Sequence, residues 1–355
     1  MSESALRVCI DDEDLAAALR FDVRRGLTSR PKHLPMRLHY DGRGSALFRE
    51  LTRQPEYYPT RCEREILTGR ADAVAAAVSA SGDPVTVVEL GAGSAEKIQV
   101  VLDALYSEGR LASFWPFDVA TGSVREILED LSARYPGIEL SGIVGDFTRH
   151  LRHLPDAGLP RLVGLLGGTF GNFTAMERRQ LLEDLREALR PGDWFLVGVD
   201  LVKDPEVILA AYNDAAGASA ELNRNVLHVL NHRLDGDFEP ESFEHIALWD
   251  RSRSCIDMRL RALKPMEVDL SAIALDVRFA VGEEIRTGIS AKFDGGALED
   301  EFTRAGFTLE HRWHDADDYF GLFLARVGLG CRAWERSCSS ATGRRPGRRP
   351  VGTPR

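Results

Sequence analysis

The feature that most constrains the fold is an alternation running from about residue 84 to residue 202. The segment PVTVVEL (84–90) is rich in β-branched residues and ends in glycines, so it reads as a buried strand, and AEKIQVVLDALYSEG follows with helical spacing. ASFWPFDVA (112–120) and GSVREILEDLSARYP repeat the unit. IELSGIVGDF (138–147), RLVGLLGGTF (161–170) and DWFLVGVDLV (193–202) supply three more strands, with MERRQLLEDLREALRPG as a helix between the last two. Repeated strand–helix units predict an α/β fold with a parallel, doubly wound sheet. Such sheets bind ligands at the carboxyl ends of their strands.

The alternation breaks at Lys203-Asp204-Pro205. A helical stretch follows, then FEHIALWD, SCIDMRLRAL and VRFAVGEEIRTGISAKF, which alternate like antiparallel strands. A helix and a final strand pair close the pattern near Val327. The expected organisation is a sheet domain of residues 62–202 with 292–327, and an inserted α+β domain of residues 9–61 with 203–291. Residues 328–355 are rich in Gly, Ser, Arg and Pro without periodicity, and read as a disordered tail.

Charge and cysteine usage narrow the function classes. The net charge is −10, whereas a chain that grips a phosphate backbone usually carries a basic excess. Nucleic acid is therefore not the expected partner. The five cysteines are scattered and form no C-x-x-C pair, and the nine histidines form no H-E-x-x-H pair, so neither a disulfide framework nor a metal site is expected. No apolar run approaches a membrane span, and the N-terminus has no signal-peptide pattern. The expectation is a cytoplasmic monomer acting on a small molecule.

Four strand ends carry candidate chemistry. The first is Glu89-Leu90-Gly91-Ala92-Gly93-Ser94, a glycine turn between strand and helix. Glycine lets the backbone approach a ligand, and a helix start offers free N–H groups. Glu96 stands where a dinucleotide fold has its third glycine, and Glu89 precedes the turn, where its carboxylate would repel a pyrophosphate but welcome an ammonium. This suits an adenosyl amino acid better than a nicotinamide dinucleotide. The second is Asp118, able to accept both ribose hydroxyls or to cap the next helix. The third is Asp146-Phe147, an acid and a ring suited to adenine, or equally a cap and a core residue. The fourth is Gly167 to Phe173, where Asn172 could hold a carboxylate or amine, or simply make a turn.

These motifs occur in a set. EL-GAGSAEK, the PFDV strand end, GDF, LGGTFGN, LVKD, AYNDAAG…LNRNVL, MRLRA and ISAKF follow one another, after YD-x3-S-x-LF-x3-T-x2-PEYYPTR from Tyr40 to Arg61. The set resembles the S-adenosylmethionine (SAM)-dependent histidine Nα-methyltransferases that make hercynine on the way to ergothioneine, over roughly residues 30–327. The resemblance implies a Rossmann-like methyltransferase sheet with an inserted substrate-binding domain. It implies that Gly91, Gly93, Lys97, Asp118, Asp146 and Phe147, beside Glu89, contact S-adenosylmethionine. Asn172 and Tyr212 would hold the amino acid's polar head, Tyr40 would lie near the reacting amine, and Tyr57 and Ser290 would face the imidazole with Met258 packing nearby.

One departure stands out. The family places a glutamate two residues before the serine of its S-x-KF motif, and here that position is Gly288. Losing a hydrogen-bonded carboxylate costs about 1.5–3 kcal/mol. Leu222 also stands where a phenylalanine is usual. Glu283 or Glu284 could substitute and keep histidine as acceptor, or the emptied space could admit tryptophan, another aromatic or a basic amino acid. A SAM-binding module without catalysis is the reading from another class.

Overall fold

The computed structural model describes residues 6–156 and 158–328. The fifteen strands in chain order are β1 (Leu6–Val8), β2 (Lys32–His33), β3 (Val85–Leu90), β4 (Leu111–Asp118), β5 (Glu139–Leu140), β6 (Gly142–Val144), β7 (Arg161–Leu165), β8 (Trp194–Asp200), β9 (Phe243–Asp250), β10 (Cys255–Ala262), β11 (Met266–Leu270), β12 (Leu275–Phe279), β13 (Glu284–Ala291), β14 (Phe307–His314) and β15 (Phe320–Val327).

The main sheet has the order β1-β6-β4-β3-β7-β8-β15-β14, with β5 beside β4. It is parallel through β8. The last three strands run antiparallel. Every residue of β3, β7 and β8 is buried, as expected of strands covered by helices on both faces. One apolar cluster lies on each face, one around Phe114, Leu196 and Phe320 and the other around Phe117, Phe195 and Phe302. The helix Ala175–Ala188 starts at a capping box of Thr174 and Glu177, which satisfies its first free N–H groups.

A second sheet has the order β2-β13-β10-β9, and β11 and β12 form a hairpin. Both pack with the helix Ala218–Leu234 around Leu227, Leu260 and Phe279. The chain leaves the main sheet after Asp200 and returns at Phe293. There Phe293 N donates to Asp200 O at 2.9 Å and Val202 N donates to Phe293 O at 3.0 Å. The two ends of the inserted segment are thus pinned side by side at the carboxyl end of β8.

Three sequence expectations are corrected. Residues 138–147 are not one strand. They divide into β5 and β6, with Ser141 between them, and the gap falls opposite Trp115-Pro116 of β4, where proline has no N–H to give the ladder. Residues 277–293 are not one strand either. The chain turns at Gly282 (φ +79°), so that β12 and β13 belong to different sheets. The strands β1, β2 and β11 had no counterpart in the sequence reading. The tail expected at residues 328–355 lies outside the described residues, apart from Gly328.

Candidate active site

Four consecutive strand ends of the main sheet meet at one rim. After β3, Gly91 (φ +66°) and Gly93 (φ +57°) take left-handed conformations that a side chain would strain. Asp118, at the end of β4, accepts from Gly93 N at 3.2 Å through one oxygen and from Ala120 N at 3.0 Å through the other. It therefore braces the glycine turn. Asp146 caps a short helix, accepting from Thr148 N at 2.9 Å and Thr148 Oγ1 at 2.6 Å. Its capping role, one of the two sequence alternatives, is thus observed. The Phe147 ring stands over the turn, 3.6 Å from where a Gly91 Cβ would lie, and meets Phe173 edge-on.

Glu89 sits beneath this turn, 3% exposed, and its Oε2 has no hydrogen-bond partner. Burial pushes its carboxyl well above the usual range, against the pull of Lys97. An orphaned buried acid calls for a cation or donor from outside the chain. Lys97 is held elsewhere, by Glu63 Oε2 at 2.7 Å. Glu63 also accepts from Gly167 N at 2.8 Å and rests against Gly198, where a Cβ would come within 2.0 Å of it. Sequence reasoning missed Glu63.

The second half of the site comes from the insertion and the N-terminal segment. Tyr40, Phe48, Tyr57 and Tyr212 form a row of edge-to-face rings with centroids 5.8, 6.1 and 6.3 Å apart. Tyr212 OH and Ser290 Oγ lie 2.7 Å apart. Lys292 donates to both, at 2.9 and 2.8 Å, and pairs with Asp200 Oδ2 at 2.8 Å. Its three N–H groups are all used. Asp200 also pairs with Lys203 at 2.5 Å and accepts from Tyr58 OH at 3.0 Å. Two buried ammonium groups thus share one carboxylate. Burial pulls Lys292 down, but Asp200 outweighs it and the amine is raised, whereas burial prevails at Lys203 and lowers it. Asp200, Lys203 and Lys292 had no role in the sequence reading, although a charged Asp closing the apolar run of β8 was a legible signal.

The two halves meet at residues 167–172. Gly171 packs on β13 so closely that a Cβ would lie 2.8 Å from Ala291 O, while Gly167 stands 3.2 Å from Lys97 Nζ by the same measure. Asn172, half-buried, lies in the turn between them.

Gly288 is not an emptied space. A Cβ there would come 2.6 Å from Met36 Sδ and 3.2 Å from Met258 Cε. Met36 and Met258 belong to a small cluster with Ile208, Ile256 and Trp249. Neither nearby glutamate replaces the missing carboxylate. Glu283 pairs with Lys32, and Glu284 pairs with Arg259 and Arg261, each at 2.7 Å. Leu222 is buried at the edge of the main apolar cluster, against which Tyr212 also packs.

Residues 19–327 match the family of SAM-dependent, histidine-specific methyltransferases. The histidine N-alpha-methyltransferase of Mycolicibacterium smegmatis is 45% identical over 313 residues, spanning 88% of this chain and 96% of that protein. The enzyme of the same name from Mycobacterium tuberculosis is 44% identical over 308 residues, 87% of this chain and 94% of that protein. A 4-dimethylallyltryptophan N-methyltransferase of Claviceps fusiformis is 26% identical over 316 residues, 82% of this chain and 87% of that protein.

Asp200→Asn should leave two buried ammonium groups without a counter-charge and lower stability by about 3–5 kcal/mol, read by chemical denaturation.

Proposed function

The chain belongs to the SAM-dependent, histidine-specific methyltransferase family, and from that premise we propose that it methylates the α-amino group of free histidine, in up to three rounds, to give Nα,Nα,Nα-trimethylhistidine. The observation that carries the reading is the junction at residues 167–172, which joins the glycine-turn half of the site to the tyrosine half. The near full-length relatives at 44–45% identity are both named for histidine, and this favours histidine over an acceptor such as the 4-dimethylallyltryptophan named for the relative at 26%.

The residues present fit the cofactor. The orphaned Glu89 carboxylate suits its ammonium, Asp118 its ribose, and Asp146 with Phe147 its adenine. Lys97 would act through Glu63. When bound, S-adenosylmethionine supplies an electrophilic methyl on a sulfonium, so the chain's own task is to place the amine in line and hold it neutral. Placement within attack distance, about 3–3.5 Å, provides most of the acceleration. Asn172 and Tyr212 would hold the acceptor's carboxylate and amine. The hydroxyl of Tyr40, kept protonated by burial, or a water beside it, would relay the proton that the amine loses, accepting it while passing its own hydrogen on to solvent. The rings of Tyr40, Tyr57 and Tyr212 would stabilise the growing quaternary ammonium by cation–π contact.

The side-chain end of the pocket suits a neutral imidazole. Ser290 and Tyr212 share one hydrogen bond and both accept from Lys292, so one hydroxyl hydrogen is left to donate to the acceptor. The buried Lys292 ammonium disfavours a cationic side chain, which argues against lysine or arginine as acceptor. Met36 and Met258 supply the apolar wall.

Purified protein incubated with S-adenosylmethionine and a pool of amino acids should give trimethylated histidine as the main product by mass spectrometry. Another methylated amino acid, with histidine untouched, would overturn the acceptor, and no transfer at all would overturn the reaction. Gly288→Glu alone should collide with Met36 and lower histidine turnover. Combined with Met36→Ala, the restored carboxylate should bring KM for histidine roughly tenfold below the parent. Tighter histidine binding by the single variant would show that Met36 does not occupy the space.

Glu89 gives a pH prediction. Its folded pKa is raised, so the cofactor-free protein binds more protons than the unfolded chain and loses stability as pH rises through the interval above the ordinary carboxylate value. Glu89→Gln should flatten that loss and raise Tm at neutral pH, while weakening cofactor binding roughly ten- to hundredfold by calorimetry.

A further inference from the structure

The candidate residues of the acceptor pocket come from separate chain segments, and one buried amide touches the neighbours of four of them, Tyr40, Tyr212, Met258 and Gly288. Asn223, on the helix Ala218–Leu234, is 2% exposed. Its Nδ2 donates to Arg259 O at 3.0 Å and to His245 Nδ1 at 2.8 Å. Its Oδ1 accepts from Thr287 Oγ1 at 2.5 Å and lies 3.1 Å from His39 Nε2. Because the Arg259 carbonyl can only accept, the amide orientation is fixed. His245 Nδ1 must then accept, so its proton sits on Nε2, which donates to Tyr212 O at 2.9 Å.

Each partner stands next to a pocket residue. His39 precedes Tyr40 and closes the turn Met36–His39, with its Nδ1 2.7 Å from Met36 O. Thr287 precedes Gly288 and is the extra residue of a β-bulge, since Met258 pairs with Gly288 while Arg259 pairs with Arg286. A bulge re-aims side chains, and this one turns Thr287 inward to Asn223 while Gly288 faces Met36. Thr287 Oγ1 also reaches Met258 O at 3.1 Å.

We propose that Asn223 is the positioning residue of the acceptor pocket. Its four contacts set Tyr40, Met36, Met258, Gly288 and Tyr212 in one register, and it serves the amino acid rather than the cofactor. The proposal rests on the amino-acid methyltransferase reading for its kinetic consequences. Asn223 touches none of Glu89, Gly91, Asp118 or Asp146, so its loss should act on the acceptor alone.

The test compares the parent, Asn223→Ala and the near-isosteric Thr287→Val, which removes the Thr287 hydroxyl without a large cavity. KM for histidine should rise at least roughly tenfold in Asn223→Ala and severalfold in Thr287→Val, with S-adenosylhomocysteine affinity held within about twofold. Unchanged KM in both variants, or a parallel loss of nucleoside affinity, would overturn the proposal. If Asn223→Ala does not fold, Thr287→Val decides it alone. Imidazole nitrogen NMR adds a readout that needs no turnover. His245 should be neutral with its proton on Nε2 in the parent, and should lose that fixed tautomer in Asn223→Ala. If the parent transfers no methyl group the functional reading fails, and the hub then stands or falls on the NMR result.

Discussion

The Asp200 carboxylate is the interaction on which the arrangement of the site depends. It ends the last parallel strand of the main sheet, Lys203 starts the inserted segment, Lys292 ends it, and Tyr58 comes from the N-terminal segment. Charges buried this deeply are tolerated only in good geometry with their remaining donors satisfied. Here Lys292 spends one N–H on Asp200 and the other two on Tyr212 and Ser290. The condition that makes the charge tolerable therefore also fixes the hydroxyls of Tyr212 and Ser290 in the proposed acceptor pocket. Stability and recognition draw on the same atoms.

The opposite holds at Glu89, where a buried carboxylate oxygen is left without a partner. Its cost as a carboxylate is met in the free protein by holding a proton, and otherwise by a positive charge that binds beside it. The two halves of the site thus differ in kind. The glycine-turn half holds a buried acid oxygen without a partner, while the tyrosine half is braced by Lys292 and offers a pre-formed shape. Pre-formed contacts cost less ordering on binding, which suits a small acceptor with few atoms to contribute.

Much of this was legible in the sequence. The periodicity of residues 84–202 placed the parallel sheet, and the glycine turn, Asp118 and Asp146-Phe147 fell at successive strand ends as the strand–helix repeat required. The insertion was visible because alternation of period two replaces the βα pattern after Pro205. What escaped were features created by tertiary contact. The strand β11 is short, and besides its hairpin partner it is held by a bridge from Leu270 to Gly236, far from it in sequence. Glu63 and Lys203 are ordinary helix and loop residues in sequence, and only packing buries them beside counter-charges. Asn223 looked like one polar residue on an amphipathic helix, because its four partners lie 22 to 184 residues away.

Gly288 shows why such contacts change the meaning of a substitution. Taken alone, replacing a glutamate with glycine empties a pocket and removes a charge. In the folded chain Met36 occupies that place, and Met36 is held there by a turn that His39 ties to Asn223. The bulge that presents Gly288 is tied to the same amide through Thr287. Residues that share a partner do not contribute additively. The proposed acceptor wall is therefore one unit of thioethers and a backbone kink, and a preference for the side chain facing it would follow from that unit rather than from the absence of a single carboxylate.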